Sequence, residues 1–155
     1  MDFSVVIDGN WKKFPGGFQY YEQIELEDMY PHTGPSEGRG VIYFYGRNFR
    51  EDYPNAEVGC RVGDAIGRGK VLNSGTIRCV VDEMALVDEG QTETATVALN
   101  SYSWVDSNQT FVPYGITGLY PNSGPYQGNT DILITGKGFN EDMEDKAKCK
   151  FGQNA

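Results

Sequence analysis

The stretch YPHTGPSEGRGVIYFYGRNFRED begins at Tyr30, and 90 positions later the chain repeats it as YPNSGPYQGNTDILITGKGFNED, beginning at Tyr120. Ten of the 23 positions are identical: Tyr30, Pro31, Gly34, Pro35, Gly38, Ile42, Gly46, Phe49, Glu51 and Asp52. A fixed period constrains a fold more than local propensity does, because every copy must be the same structural unit. A period of 90 in 155 residues leaves room for one complete unit flanked by parts of two others.

The N-terminal residues repeat as well. SVVIDGNWKKFPGGFQYY lies over TVALNSYSWVDSNQTFVPY with one residue gained in the turn, so that Val5 matches Val97, Ile7 matches Leu99, Trp11 matches Trp104, Phe18 matches Phe111 and Tyr21 matches Tyr114. The organisation expected is therefore the last two strands of one unit in 1–21, a whole unit in 22–114 and the opening strands of a third in 115–155. Neither half-unit can bury its apolar face alone, which leaves Val5, Ile7 and Phe18 at one end and Ile132 and Ile134 at the other needing cover. That cover comes from further chain at both ends or from a neighbouring copy in a head-to-tail filament, and continuation is the favoured expectation.

Period-two alternation in VIYFYG, AEVGCRV, GTIRCVV, TATVALN and DILITG, each bounded by Gly, Asn, Asp or Pro, predicts short strands. Helical periodicity is nearly absent. The strongest helix former, NEDMEDKAKC, aligns with FREDYPNAEVGC, whose Pro54 and β-rich ending predict a loop feeding a strand in both copies. Short strands at regular spacing, with 20 Gly and 7 Pro to turn between them, point to an all-β antiparallel sandwich. Alternation puts Ile42 and Phe44, Val58 and Val62, Ile77 and Val81, and Val97 and Leu99 into one core. Cys60 shares its face with Val58 and Val62, and Cys79 with Ile77 and Val81, so both thiols point into that core; Cys149 falls on Cys60.

The net charge of −9, with no cluster of Lys and Arg, disfavours duplex nucleic acid and anionic membranes. No apolar run approaches the roughly 18 residues a spanning helix needs, which argues against direct membrane insertion by this segment. GDAIGRGKV fails the phosphate-loop spacing and has Val71 where a magnesium-binding hydroxyl belongs, so it reads as a glycine-rich connection between strands. His32 is the only histidine, and no triad, cofactor site or zinc site can be assembled around it. Glu51 and Asp52 match Glu141 and Asp142 in two acidic loops, which lack the Asp-x-Asp-plus-Gly spacing of a calcium loop and read as solvated charge. The sequon NQT at Asn108 marks a glycosylation acceptor if the chain is secreted, and otherwise a plain turn.

LEDMYPHTGPSEGRGVIYFYGRNF and ITGLYPNSGPYQGNTDILITGKGF with CKFG resemble the opening of IPT/TIG domains, and TVALNSYSWVDSNQTFVPY resembles their closing hairpin. The resemblance covers essentially the whole chain. It departs from the pattern where the usual paired Gly is reduced to EGRG and QGNT, and where CRVG lacks the Phe of CKFG. It implies an immunoglobulin-like sandwich whose Pro and Gly residues specify the fold. From the extracellular members it also implies a Cys60–Cys79 bridge, whose 19-residue separation would be worth roughly 3 kcal/mol by loop closure; two free core thiols in a reducing compartment are the alternative.

The function expected is a non-enzymatic structural or adhesive module in a tandem array, extracellular or on a cell surface, with other modules or copies of itself as partners. A carbohydrate-binding accessory module is the rival reading, with Tyr43, Tyr45, Tyr102 and Trp104 as its aromatics and glycans as its ligands. An intracellular scaffold, as in a cilium, is the third.

Overall fold

A computed structural model describes residues 1–18, 20–50, 57–82, 84, 90–100 and 102–152, with Asp142 described by its backbone alone. The strands are β1 (Phe3–Ile7), β2 (Asn10–Phe14), β3 (Glu25–Tyr30), β4 (Thr33–Pro35), β5 (Gly40–Arg47), β6 (Val58–Val62), β7 (Ala65–Asn73), β8 (Thr76–Val81), β9 (Glu93–Ala98), β10 (Val105–Tyr120) and β11 (Leu133–Lys137). The first two form a separate hairpin, turned by Asp8 and Gly9 at φ of 52° and 79°, values suited to a two-residue loop.

The remaining strands hydrogen-bond in the order β11-β10-β9-β6-β7-β8-β5-β3, and β4 pairs with β10 off this path. The middle of that path folds over on itself. Met29, Ile42, Phe44, Ile77, Cys79 and Val81 from β3, β5 and β8 meet Cys60, Val62, Ala95, Val97 and Phe111 from β6, β9 and β10 in one buried core. The chain thus forms the two-layer antiparallel sandwich expected from the alternation, of the immunoglobulin-like class that the resemblance implies. Every core residue named from the pattern is buried except Val58, which is partly buried against the cluster.

The glycine-rich connection turns out to be a long strand. Gly63 and Asp64 make a two-residue turn between Val62 and Ala65, and GRG then runs down the middle of β7. A Cβ on Gly67 would lie 2.9 Å from Val81 Cγ2, and one on Gly69 would lie 2.5 Å from Val58 Cγ1 and 3.4 Å from Ile77 Cγ2. Side chains from β6 and β8 close over the bare inner face of β7 from both sides, and this lets the sheet fold. Cys60 opposes Gly67 and Cys79 opposes Gly69, with their Cα atoms 6.3 Å apart and their sulfurs bonded across the strand between them. Glycines that mimic a nucleotide motif in one dimension serve as the crease of a sandwich in three.

The repeat is visible in the backbone. β3 pairs with β5 as the last part of β10 pairs with β11, and the peptides Tyr30–Pro31 and Tyr120–Pro121 are both cis. A Cβ on Gly46 would collide with the carbonyl oxygen of Glu25, and one on Gly136 with that of Gly115; each would also press on a phenylalanine three residues further on, Phe49 or Phe139. The two glycines therefore let adjacent strands approach and leave room for the ring. Replacing Gly46 with alanine is expected to cost about 1–3 kcal/mol, the usual range for overpacking, because a backbone atom cannot rotate out of the way. The urea midpoint measures it; a shift worth less than about 0.5 kcal/mol, the scale of a neutral surface change, would mean that β3 and β5 separate easily.

The acidic segment after β11 forms a short 3-10 turn over Glu141–Met143 instead of a plain loop. The strand expected to follow is reduced to a single bridge at Phe151. The matching acids Glu51 and Asp52 lie outside the described residues. The side chains of β1 and β2 are exposed throughout, with Val5 and Ile7 uncovered; at the other end Leu133, Phe139 and Phe151 are exposed and Ile132 and Ile134 only half covered. These are the two faces that the repeat pattern leaves without partner strands.

Candidate functional site

The candidate functional surface surrounds the middle of β10, at the joint over residues 112–115 where its pairing partner changes. β10 pairs antiparallel with β9 from Val105 to Phe111, parallel with β4 from Val112 to Tyr114, and antiparallel with β11 from Gly115 to Tyr120. A single strand therefore bonds β9, β4 and β11 in succession and runs without a break through 114 and 115. Around it, Val112 N–H donates to the His32 carbonyl at 2.9 Å and Ser36 N–H to that of Tyr114 at 2.8 Å. The Thr33 hydroxyl donates to the Val112 carbonyl at 2.8 Å, and Gly90 N–H donates to that of Pro113 at 2.8 Å.

Gly90 and Gly138 face each other here, with a Cβ on Gly90 only 3.3 Å from the Gly138 nitrogen, while one on Gly138 would strike the Pro113 carbonyl. Tyr114 leans across the joint onto Phe139, ring centroids 6.4 Å apart. At the other end of the complete unit its counterpart Tyr21 packs on the core, and Asn100 Nδ2 donates to its hydroxyl at 3.4 Å. Asn100 also accepts from the N–H groups of Tyr102 and Ser103 at 3.0 and 2.7 Å, folding the β9–β10 turn that reaches Tyr21. Each of the two matched tyrosines thus seats on the segment that follows it in the chain, a pattern contained in the Tyr21–Tyr114 match.

Beside the joint lies a groove lined by Tyr30, His32, Ile134, Phe139, Met143 and Cys149. Cys149 is exposed there as a free thiol, unlike its counterpart Cys60, which is bridged. His32 approaches Asp28, Nε2 to Oδ1 3.6 Å. Among the described residues no group of three or more His, Cys, Asp or Glu is arranged to hold a metal.

Asn108 sits in the second strand of the closing hairpin, where the register between β9 and β10 breaks between Asp106 and Thr110. The Ser107 hydroxyl donates to the Ala95 carbonyl at 2.7 Å, and Asn108 N–H donates to Asp106 Oδ1 at 2.8 Å. This bulge lifts Asn108 into solvent at φ of 54°. The four candidate aromatics do not form one platform. Tyr43 and Tyr45 lie on β5 beside β8 and β3, whereas Trp104 precedes β10 and has the Arg61 guanidinium stacked 4.0 Å above its ring. Tyr102 stands 88% exposed in the β9–β10 turn.

A model of the IPT/TIG domain family matches residues 25–112 and matches again over 113–155. The chain belongs to the IPT/TIG family. A probable serine/threonine-protein kinase, drkC, of Dictyostelium discoideum is 33% identical over 61 residues, which are 39% of this chain and 8% of that protein. Two structures of the full extracellular region of plexin A4 are similar in fold. The one with domains 1 to 8 has a TM-score of 0.52 at 20% identity and covers 83% of this chain; the one with domains 1 to 10 has 0.51 at 21% and covers 86%. The IPT/TIG chain spans 14% and 12% of those two structures.

Proposed function

We propose that this IPT/TIG chain is a non-enzymatic spacing and docking module in a tandem array on an extracellular or cell-surface protein. The shared strand β10 carries the reading: one continuous strand bonded on both sides holds successive units at a set angle, whereas a flexible linker would let them drift. The Cys60–Cys79 bridge favours an oxidising compartment over the cytosol. The likeness to a plexin extracellular region is one of fold and agrees with that placement. The kinase activity in the name of the Dictyostelium relative belongs to that protein, most of which this chain does not match. Among the described residues no helix is long and apolar enough to cross a membrane. In this reading the divisions fall at 1–21, 22–114 and 115–155, the uncovered apolar faces at the two ends meet complementary strands of neighbouring modules, and Asn108 carries an N-linked glycan.

Two measurements test it. Secreted from eukaryotic cells, the chain is expected to lose mass on enzymatic deglycosylation, to lose the glycan in Asn108→Gln, and to gain 2 Da only after reduction of the Cys60–Cys79 pair; a bare Asn108 beside two free thiols would overturn the extracellular placement. In hydrogen exchange, residues 1–18 and 131–151 are expected to exchange faster than the strands between 40 and 98, with the chain self-associating in sedimentation. A monodisperse monomer protected equally throughout would remove the case for module docking at the ends.

A further inference from the structure

The outward face of β7, β8, β5 and β3 gathers cations in a chain whose balance is strongly acidic. Lys70 opposes Arg78, Arg78 opposes Tyr43, and Tyr43 opposes Tyr30, so four strands contribute one row. Adjacent strands lie about 4.8 Å apart, which makes the row about 14 Å long. Arg68 lies two residues from Lys70 on the same face, and Tyr45 two residues from Tyr43. Ile77, Cys79 and Val81 are wholly buried, so the alternation of β8 turns Arg78 outward. At the Tyr30 end, Lys146 from the following unit places its Nζ 6.0 Å from the ring and carries the row across the joint.

Arg39 pairs with Asp82, and Arg47 with Glu25 and Glu27, but among the described residues Arg68, Lys70, Arg78 and Lys146 make no ion pair. Among the described residues two acids border the row: Asp28, opposite Tyr45 and engaged with His32 and the Met29 N–H, and Glu57, one residue before Val58, whose partner Gly69 adjoins Lys70. Like charges directly opposite each other weaken a sheet, so the Lys70–Arg78 pair costs stability that an anionic ligand would restore.

We propose that this face binds an acidic polysaccharide, with Arg68, Lys70, Arg78 and Lys146 pairing its carboxylate or sulfate groups and Tyr43, Tyr45 and Tyr30 stacking under its sugar rings. β8 and β5 are inner strands with both edges paired, so the face cannot accept a peptide as an added strand. Guanidinium groups match planar and tetrahedral oxyanions, and phenol rings present flat apolar faces with a polar tip, which suits a ring carrying both C–H and hydroxyl groups. The ligand class rests on the extracellular reading above, since outside the cytosol the acidic polymers at hand are glycans rather than nucleic acids.

The test is binding of the 155-residue chain to a heparin oligosaccharide, with dextran, oligo-dT and polyglutamate as competitors. Saturable binding is expected that weakens as salt rises from about 0.05 to 0.3 M, where screening shortens. Lys70→Gln with Arg78→Gln should lose at least about tenfold in affinity, and Tyr45→Ser a smaller but measurable amount, by analogy with single charge and stacking losses. Lys12→Gln, on the exposed β1–β2 hairpin, should leave affinity unchanged. The Lys70 and Arg78 variants should melt no lower than the parent, since they relieve repulsion. Unchanged affinity in the double variant, equal loss in Lys12→Gln, or indifference to Tyr45→Ser overturns the site. Tighter binding of oligo-dT or polyglutamate than of heparin overturns the ligand class. Free Cys60 and Cys79 in native material would sink the extracellular reading and leave the binding result standing.

Discussion

Phe44→Ala is expected to destabilise the complete repeat by about 3–5 kcal/mol, the cost of deleting a fully buried aromatic ring and leaving the cavity behind. Phe44 is 0% exposed and lies in β5 opposite Met29 on one side and Ile77 on the other, both also wholly buried. The site cannot relax cheaply, because Gly46 holds β3 against β5 two residues away. Since a domain of this size has only about 5–15 kcal/mol of stability, the variant should sit near the edge of folding at 25 °C. Urea titration followed by the fluorescence of Trp104, in a Trp11→Phe background, measures it. A loss under about 1 kcal/mol, the size of a single-methyl change, would mean that the two layers are not packed through this ring.

Removing the disulfide as Cys60→Ala with Cys79→Ala is expected to cost about 3 kcal/mol, chiefly by restoring freedom to the unfolded chain across a 19-residue separation. For a unit of this length that corresponds to a fall in Tm of roughly 12–24 °C. The bridge has a second task in this fold, since it ties β6 to β8 across the bare glycines of β7. The double variant should therefore lose amide protection first in β7, where Gly67 and Gly69 supply no packing of their own. Melting with and without reductant checks the first part, and hydrogen exchange the second; a variant that melts within about 4 °C of the parent, a shift of 1 kcal/mol or less, would show that the crease holds without its bridge.

The two substitutions probe different halves of what was legible. Ile42, Phe44, Ile77, Val81, Cys60 and Cys79 could be assigned to the core from parity alone, because a strand sends alternate side chains to opposite faces whatever it pairs with. The same parity places Arg78 outward. That Lys70 and Arg78 are neighbours could not be read from it, since registry depends on the turn at Ser74 and Gly75 and on a shift between Val71 and Asn73. β7 itself was missed. Its inner positions are Ala65, Gly67, Gly69 and Val71, so two of the four carry no side chain and the apolar signal falls below what periodicity detects. The acidic segment after β11 went the other way: its helix-forming residues make one 3-10 turn, and a strand expected from its alignment with residues 49–60 lacks the neighbours that would pair it.

What the sequence by itself determined is the unit and its repetition. Gly46 and Gly136, with Phe49 and Phe139, recur at a spacing of 90 because each repeat must solve the same close approach of strands. The IPT/TIG resemblance and the immunoglobulin-like class follow from those residues before any coordinate is known. Only the tertiary structure decided which faces meet: that β10 pairs in turn with β9, β4 and β11, that Trp104 is covered by Arg61 while Tyr43 lies in a row with Arg78, and that Asn108 rides on a bulge. The reason is physical. Alternation and turn chemistry act between residues a few positions apart, whereas pairing register and the folding of a sheet are chosen by the whole set of strands competing for the same edges.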